Sequence, residues 1–201
     1  MSGFNSVDEI MKWYERGKGS VEDENRHITD QLKWQYTDVL YSFKGIYIIG
    51  AYVFDRDKFE RTPDGMIKAK GKTSRETYNR KFVRENYEKF KELNNNENLK
   101  DFLKCYTSVG NVIPIWPGGN SHRGLSGCYD LPDIYFHKNE RWLKCLNEVY
   151  SEVNLDCLSE DYKKDRVSDL IDDLEDVKKY EAYLKYIVDV IKYREKCIGA
   201  R

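Results

Sequence analysis

Only four prolines and three histidines occur in the 201 residues, and no two cysteines stand in a CxxC arrangement. With so little histidine, and neither an HExxH sequence nor a close cysteine cluster, the usual ligand spacings of a zinc centre are excluded. No metal and no cofactor are expected. The five cysteines, Cys105, Cys128, Cys145, Cys157 and Cys197, are odd in number and unevenly spaced. That fits reduced thiols in a reducing compartment rather than a disulfide framework. A GxxxxGK[ST] loop is missing, as is a strand-GxGxxG-helix arrangement, so nucleotide binding has no motif to rest on. The chain does not open on a basic segment followed by an apolar run. Its most apolar window, Val39 to Phe54, is interrupted by Lys44 and is short for a bilayer. These absences point to the cytoplasm and away from a membrane.

What is present is charge and aromatic surface. The chain is 34% charged, 40% hydrophobic and 14% aromatic, with sixteen tyrosines, a globular composition whose core must find partners for phenolic hydroxyls. A formal charge of -1 excludes a surface that is basic throughout, as a general nucleic-acid trap would be. Locally the balance shifts. Arg56 to Arg84 carries ten bases against four acids, and Leu158 to Glu181 nine acids against five bases.

The hydrophobic pattern predicts a mainly α fold, an irregular multi-helix single domain over residues 1–201 with room for one small β-hairpin. Helical spacing is read at Val7 to Glu15, and again over Leu32, Tyr36, Val39, Leu40 and Phe43. Ile46 to Phe54 is a continuous apolar run that suits either a buried strand or a short buried helix, because continuous apolarity hides the period. Residues 55–72 read as an exposed basic loop or small hairpin around Pro63-Asp64-Gly65. Thr73 and Glu76 are spaced as a capping box for a helix reaching Leu93. Asn98 and Asp101 suggest a further start, with Leu99, Phe102, Leu103 and Tyr106 inward. Helix signals return from Asn139 and fill a C-terminal region, 168–198, whose apolar face includes Leu170, Ile171, Leu174, Val177, Tyr180, Tyr183, Leu184, Ile187, Val188 and Ile191. A break is expected there near Glu175 to Lys179.

The least ordinary stretch is the glycine-, proline- and aromatic-rich central connection, 106–136. Pro114 and Pro117 restrict its backbone while Gly118 and Gly119 free it, and its apolar content is too great to leave wet. An ordered loop is therefore expected. Asn111, Trp116, Asn120, Arg123 and Tyr129 are its candidate ligand-binding residues. His122 and Arg123, with Asp130 and Asp133, are the candidate catalytic group, since a histidine titrates near neutrality and a guanidinium grips phosphate or carboxylate. The structural alternative is that Arg123 pairs with Asp130 or Asp133 and simply locks the loop. A Ser121/His122/Asp130 hydrolase lacks the GxSxG elbow, and Cys128 has no demonstrable electropositive setting.

Tyr106, Gly110, Asn111 and Ile113, then Pro117, Asn120, Arg123 and Gly124, then Asp130 and Asp133, form a pattern that resembles an uncharacterised bacterial family of mainly helical proteins. The resemblance covers about Tyr106 to Ile191. It implies a mainly helical fold and a bacterial or phage-related origin, and it brings no activity with it.

Two functional expectations remain. One is a binding or interaction module that uses the 106–136 loop or the C-terminal helical face, with a protein partner or self-association. The other is a nucleic-acid-processing or phosphoester-acting enzyme, with His122 and Arg123 in the site and Lys68, Lys70, Lys72 and Arg75 on the phosphate backbone.

Overall fold

A computed structural model of the chain describes residues 36–61, 67–71, 95–119 and 177–199, together with residues 6, 8, 9, 12 and 34. Within them the fold is mainly helical with small β elements. The order is β1 (Thr37–Val39), α1 (Phe43–Phe54), β2 (Phe59–Arg61), β3 (Ile67–Ala69), α2 (Glu97–Cys105), β4 (Val112–Pro114) and α3 (Val177–Gly199). Short 3-10 turns at Arg56–Lys58 and Val109–Asn111 lead into β2 and β4.

Within the helix expected over Leu32 to Phe43, residues Thr37–Val39 instead form a strand, and Leu32 lies outside the described residues. Thr37 and Val39 are buried while Asp38 between them is half-buried, the period of two that belongs to a strand. Their β-branched side chains suit that backbone. The strand pairs antiparallel with β4, in the register Thr37 to Pro114, Asp38 to Ile113 and Val39 to Val112. β2 and β3 form a second antiparallel pair, Phe59 opposite Ala69 and Arg61 opposite Ile67. Phe59, Ile67 and Ala69 are buried. The connection between these strands, residues 62–66, lies outside the described residues.

The apolar run that left strand and helix open is helical. Ser42 starts it: its Oγ accepts the Gly45 N–H at 3.1 Å, and its carbonyl accepts the Ile46 N–H at 3.1 Å, which is the geometry of an N-cap. Among the helix residues whose burial is described, Gly45, Ile46, Ile49 and Gly50 are buried, and that spacing is one face of a helix.

α2 begins two residues earlier than the Asn98 start suggests. Asn96 caps it, Oδ1 accepting the Leu99 N–H at 3.0 Å, while its Nδ2 donates to Glu181 on α3 at 2.7 Å. Leu99, Phe102, Leu103 and Tyr106 are buried as expected. The rings of Phe102 and Tyr106 meet edge to face at 5.7 Å.

α3 forms the centre of the described core. It runs unbroken through 23 residues, about 34 Å at the α-helical rise, and packs against α2, the Val109–Asn111 turn and α1. Tyr180, Tyr183, Leu184, Ile187, Val188 and Ile191 are all buried. Val177, expected on the same face, is instead 39% exposed. The Tyr180 hydroxyl donates to the Ile46 carbonyl at 3.3 Å, satisfying a phenol that the core would otherwise strand. From Val177 onward the expected break is absent; residues 168–176 lie outside the described residues. No helix among the described residues is long and apolar enough to cross a membrane.

Candidate functional site

The central connection is described from Tyr106 to Gly119, and its backbone is held at nearly every step. Asn111 closes the 3-10 turn, its N–H donating to Ser108 at 3.0 Å. Its carbonyl accepts the Leu40 N–H at 2.7 Å, which carries the β1–β4 ladder one step beyond the strands. The side chain continues the ladder where the backbone leaves it. Oδ1 accepts the Tyr41 N–H at 2.9 Å and Nδ2 donates back to the Tyr41 carbonyl at 3.1 Å. The second Nδ2 proton goes to the Tyr106 carbonyl at 2.8 Å. Asn111 is fully buried, so its amide acts as a piece of substitute backbone joining two segments.

α3 grips the same segment from the other side. Gly110 lies so close to the helix that a Cβ there would stand 2.0 Å from the Ile191 carbonyl oxygen and 2.9 Å from the Glu195 nitrogen. Only a residue without a side chain allows that approach. One turn further along α3, Arg194 turns inward and is 1% exposed. Its Nε donates to the Gly110 carbonyl at 2.7 Å and its Nη2 to the Val112 carbonyl at 3.0 Å. A guanidinium suits this task because its planar fork reaches two carbonyls at once.

Beyond β4 the chain leaves the core. The Ile115 N–H donates to the Tyr36 carbonyl at 3.0 Å, and Ile115 is buried. Trp116 is half-buried, and Pro117 and Gly118 are exposed. The Gly119 N–H returns to the Trp116 carbonyl at 2.9 Å, and Gly118 has a φ of +78°. Proline followed by a positive-φ glycine inside a four-residue hydrogen-bonded reversal is a type II turn. A buried stem thus carries a turn whose tip, Pro117 and Gly118, is exposed while Gly119 is buried again.

Of the residues expected to bind or react, Asn111 and Trp116 flank this arrangement, the first as a buried tie and the second at the surface. Asn120, His122, Arg123, Tyr129, Asp130 and Asp133 lie outside the described residues, as do Lys72 and Arg75. Lys70 is exposed beside β3, the strand that contains Lys68. Among the described residues no group of three or more His, Cys, Asp and Glu side chains could hold a metal ion.

Sequence reasoning missed Arg194. Its signal was spacing: a basic residue standing three positions after Ile191, on the stripe that Tyr180, Leu184, Ile187 and Ile191 define. It also missed Ser42 and Asn96 as caps. Cys105 and Cys197 are free thiols. Burial pushes the Cys105 thiol up to about 12, with Lys192 opposing the shift more weakly, and its Sγ donates to the Phe102 carbonyl at 3.4 Å. A thiol held protonated is a poor nucleophile. The Oγ of Ser108 and the indole nitrogen of Trp34 are buried with no hydrogen-bond partner among the described residues.

No known protein family, curated protein or solved structure matches the chain, so its function has to be argued from the residues and their geometry.

Proposed function

We propose that the chain is a binding module, active in the cytoplasm, whose presented element is the Trp116–Gly119 turn. The observation that carries this reading is the contrast between stem and turn. The stem is buried and held by Asn111, Gly110 and Arg194, while Pro117 and Gly118 face solvent beside a half-buried indole. A turn held in one shape loses little entropy when a partner closes on it. An amphipathic indole at its base supplies apolar contact with a polar edge. The C-terminal helical face is the weaker surface for this purpose, because Tyr180 through Ile191 on that face are already buried within the chain. Free Cys105 and Cys197 suit a reducing compartment.

Site-specific photo-crosslinking tests the proposal. A photo-reactive amino acid placed at Pro117, in the cells that make the chain, is expected to yield one discrete adduct. The same group at Lys104, exposed on α2, is expected to yield none. Absence of an adduct from Pro117, or identical adducts from both positions, would remove the binding role.

A further inference from the structure

We infer that the C-terminal half of α3 is a clamp that fixes the base, and so the placement, of the Trp116–Gly119 turn, with Arg194 as its positioning residue. The significance of the turn rests on the binding role proposed above; the clamp itself rests on geometry alone. Three contacts converge on the stem. Gly110 seats directly on the Ile191 carbonyl. Arg194 holds the Gly110 and Val112 carbonyls. The strand that begins at Val112 then pairs with β1, and the Ile115 N–H reaches Tyr36 immediately before the turn.

The direction of coupling follows from chemistry. The Gly110 and Val112 carbonyls are buried, and without the guanidinium they would need other donors or water. Withdrawing α3 by the distance of one water therefore releases β4 on the side away from β1. The strand pair is only three residues long, too short to hold its register unaided. The turn loses its fixed base when the helix unseats. Reciprocity is required by linkage: whatever grips the turn in this shape also holds α3 down.

Amide hydrogen exchange on the full chain reads the clamp without any partner. Arg194→Lys keeps the charge but loses the two-pronged fork. It is expected to speed exchange about tenfold at Leu40 and Ile115, the loss of one net hydrogen bond. Lys70, whose N–H donates to Lys58 in the β2–β3 region, should exchange as before. Equal acceleration at Lys70 would mean that Arg194 merely stabilises the whole fold, and no acceleration at Ile115 would mean that it positions nothing. Either overturns the clamp.

The unsubstituted chain gives an independent reading should the variant fail to fold. Under graded denaturant, Ile115 and the last two turns of α3 should open in a single step. Opening of Ile115 while that end of α3 stays protected would also overturn the proposal. A crosslink that fails while this coupling holds removes the binding role and spares the clamp; the opposite pair of results removes the clamp alone.

Discussion

Asn111 shows how far a polar residue can be from the role its chemistry suggests. An amide between glycine and an apolar turn reads as a ligand-binding group, and its hydrogen-bonding capacity was legible. Its destination was not, because the Tyr41 backbone it completes is 70 residues away. Replacing it measures the difference. Asn111→Ala removes the Asn111 partner of the Tyr41 N–H and one partner each of the Tyr41 and Tyr106 carbonyls, and should cost at least about 1–3 kcal/mol in denaturant unfolding, the cost of one buried unsatisfied group. Asn111→Asp should cost more still. It exchanges a donor for a carboxylate oxygen facing the carbonyls of Tyr41 and Tyr106, so like partial charges meet in a buried place. A stability loss for Asp that is smaller than that for Ala would contradict the assignment.

At the scale of elements, patterning told more about faces than about boundaries. The inward residues of α2 and most of those of α3 could be read from their spacing, since apolar side chains recurring every three or four positions leave one solution for burial. Val177 fell outside the stripe, being 39% exposed. Two residues of α3 separate the buried face from the exposed one. Ile187→Ala, from a fully buried site, should cost about 2–5 kcal/mol. Val177→Ala should fall within about 0.5 kcal/mol of the parent. Comparable losses in urea unfolding would mean that the face is misplaced. Strand β1 was illegible for a different reason. Leu32 to Phe43 supports a helical spacing as well as a strand, and the pairing with β4 that decides between them is non-local. The turn at Trp116–Gly119 was local and therefore readable, because Pro117 and Gly118 carry their own backbone preferences. The rest of the candidate site depends on residues whose mutual placement no local preference determines.

For the molecule as a whole, one buried thiol links stability to alkaline pH. Folding raises the Cys105 thiol from its ordinary 9.0 to about 12, so the folded chain keeps a proton that the unfolded chain releases between those values. The stability contribution is complete below pH 9 and declines as pH rises toward about 12. Tyrosines and lysines titrate in the same range, so the informative quantity is a difference. Between pH 9 and 11 the unfolding midpoint of the parent should fall more steeply than that of Cys105→Ala. Parallel slopes would show that the thiol ionises as readily folded as unfolded.

The grip of Arg194 on Gly110 and Val112 also spans time. These partners are 84 and 82 positions apart, and at about 5–20 residues per second the ribosome takes roughly 4–17 s to deliver the second after the first. Throughout that interval the nascent chain already contains the turn's own proline and glycine, yet its base has no guanidinium to close on. The base of the turn therefore closes only once Arg194 has been made, well after the turn itself.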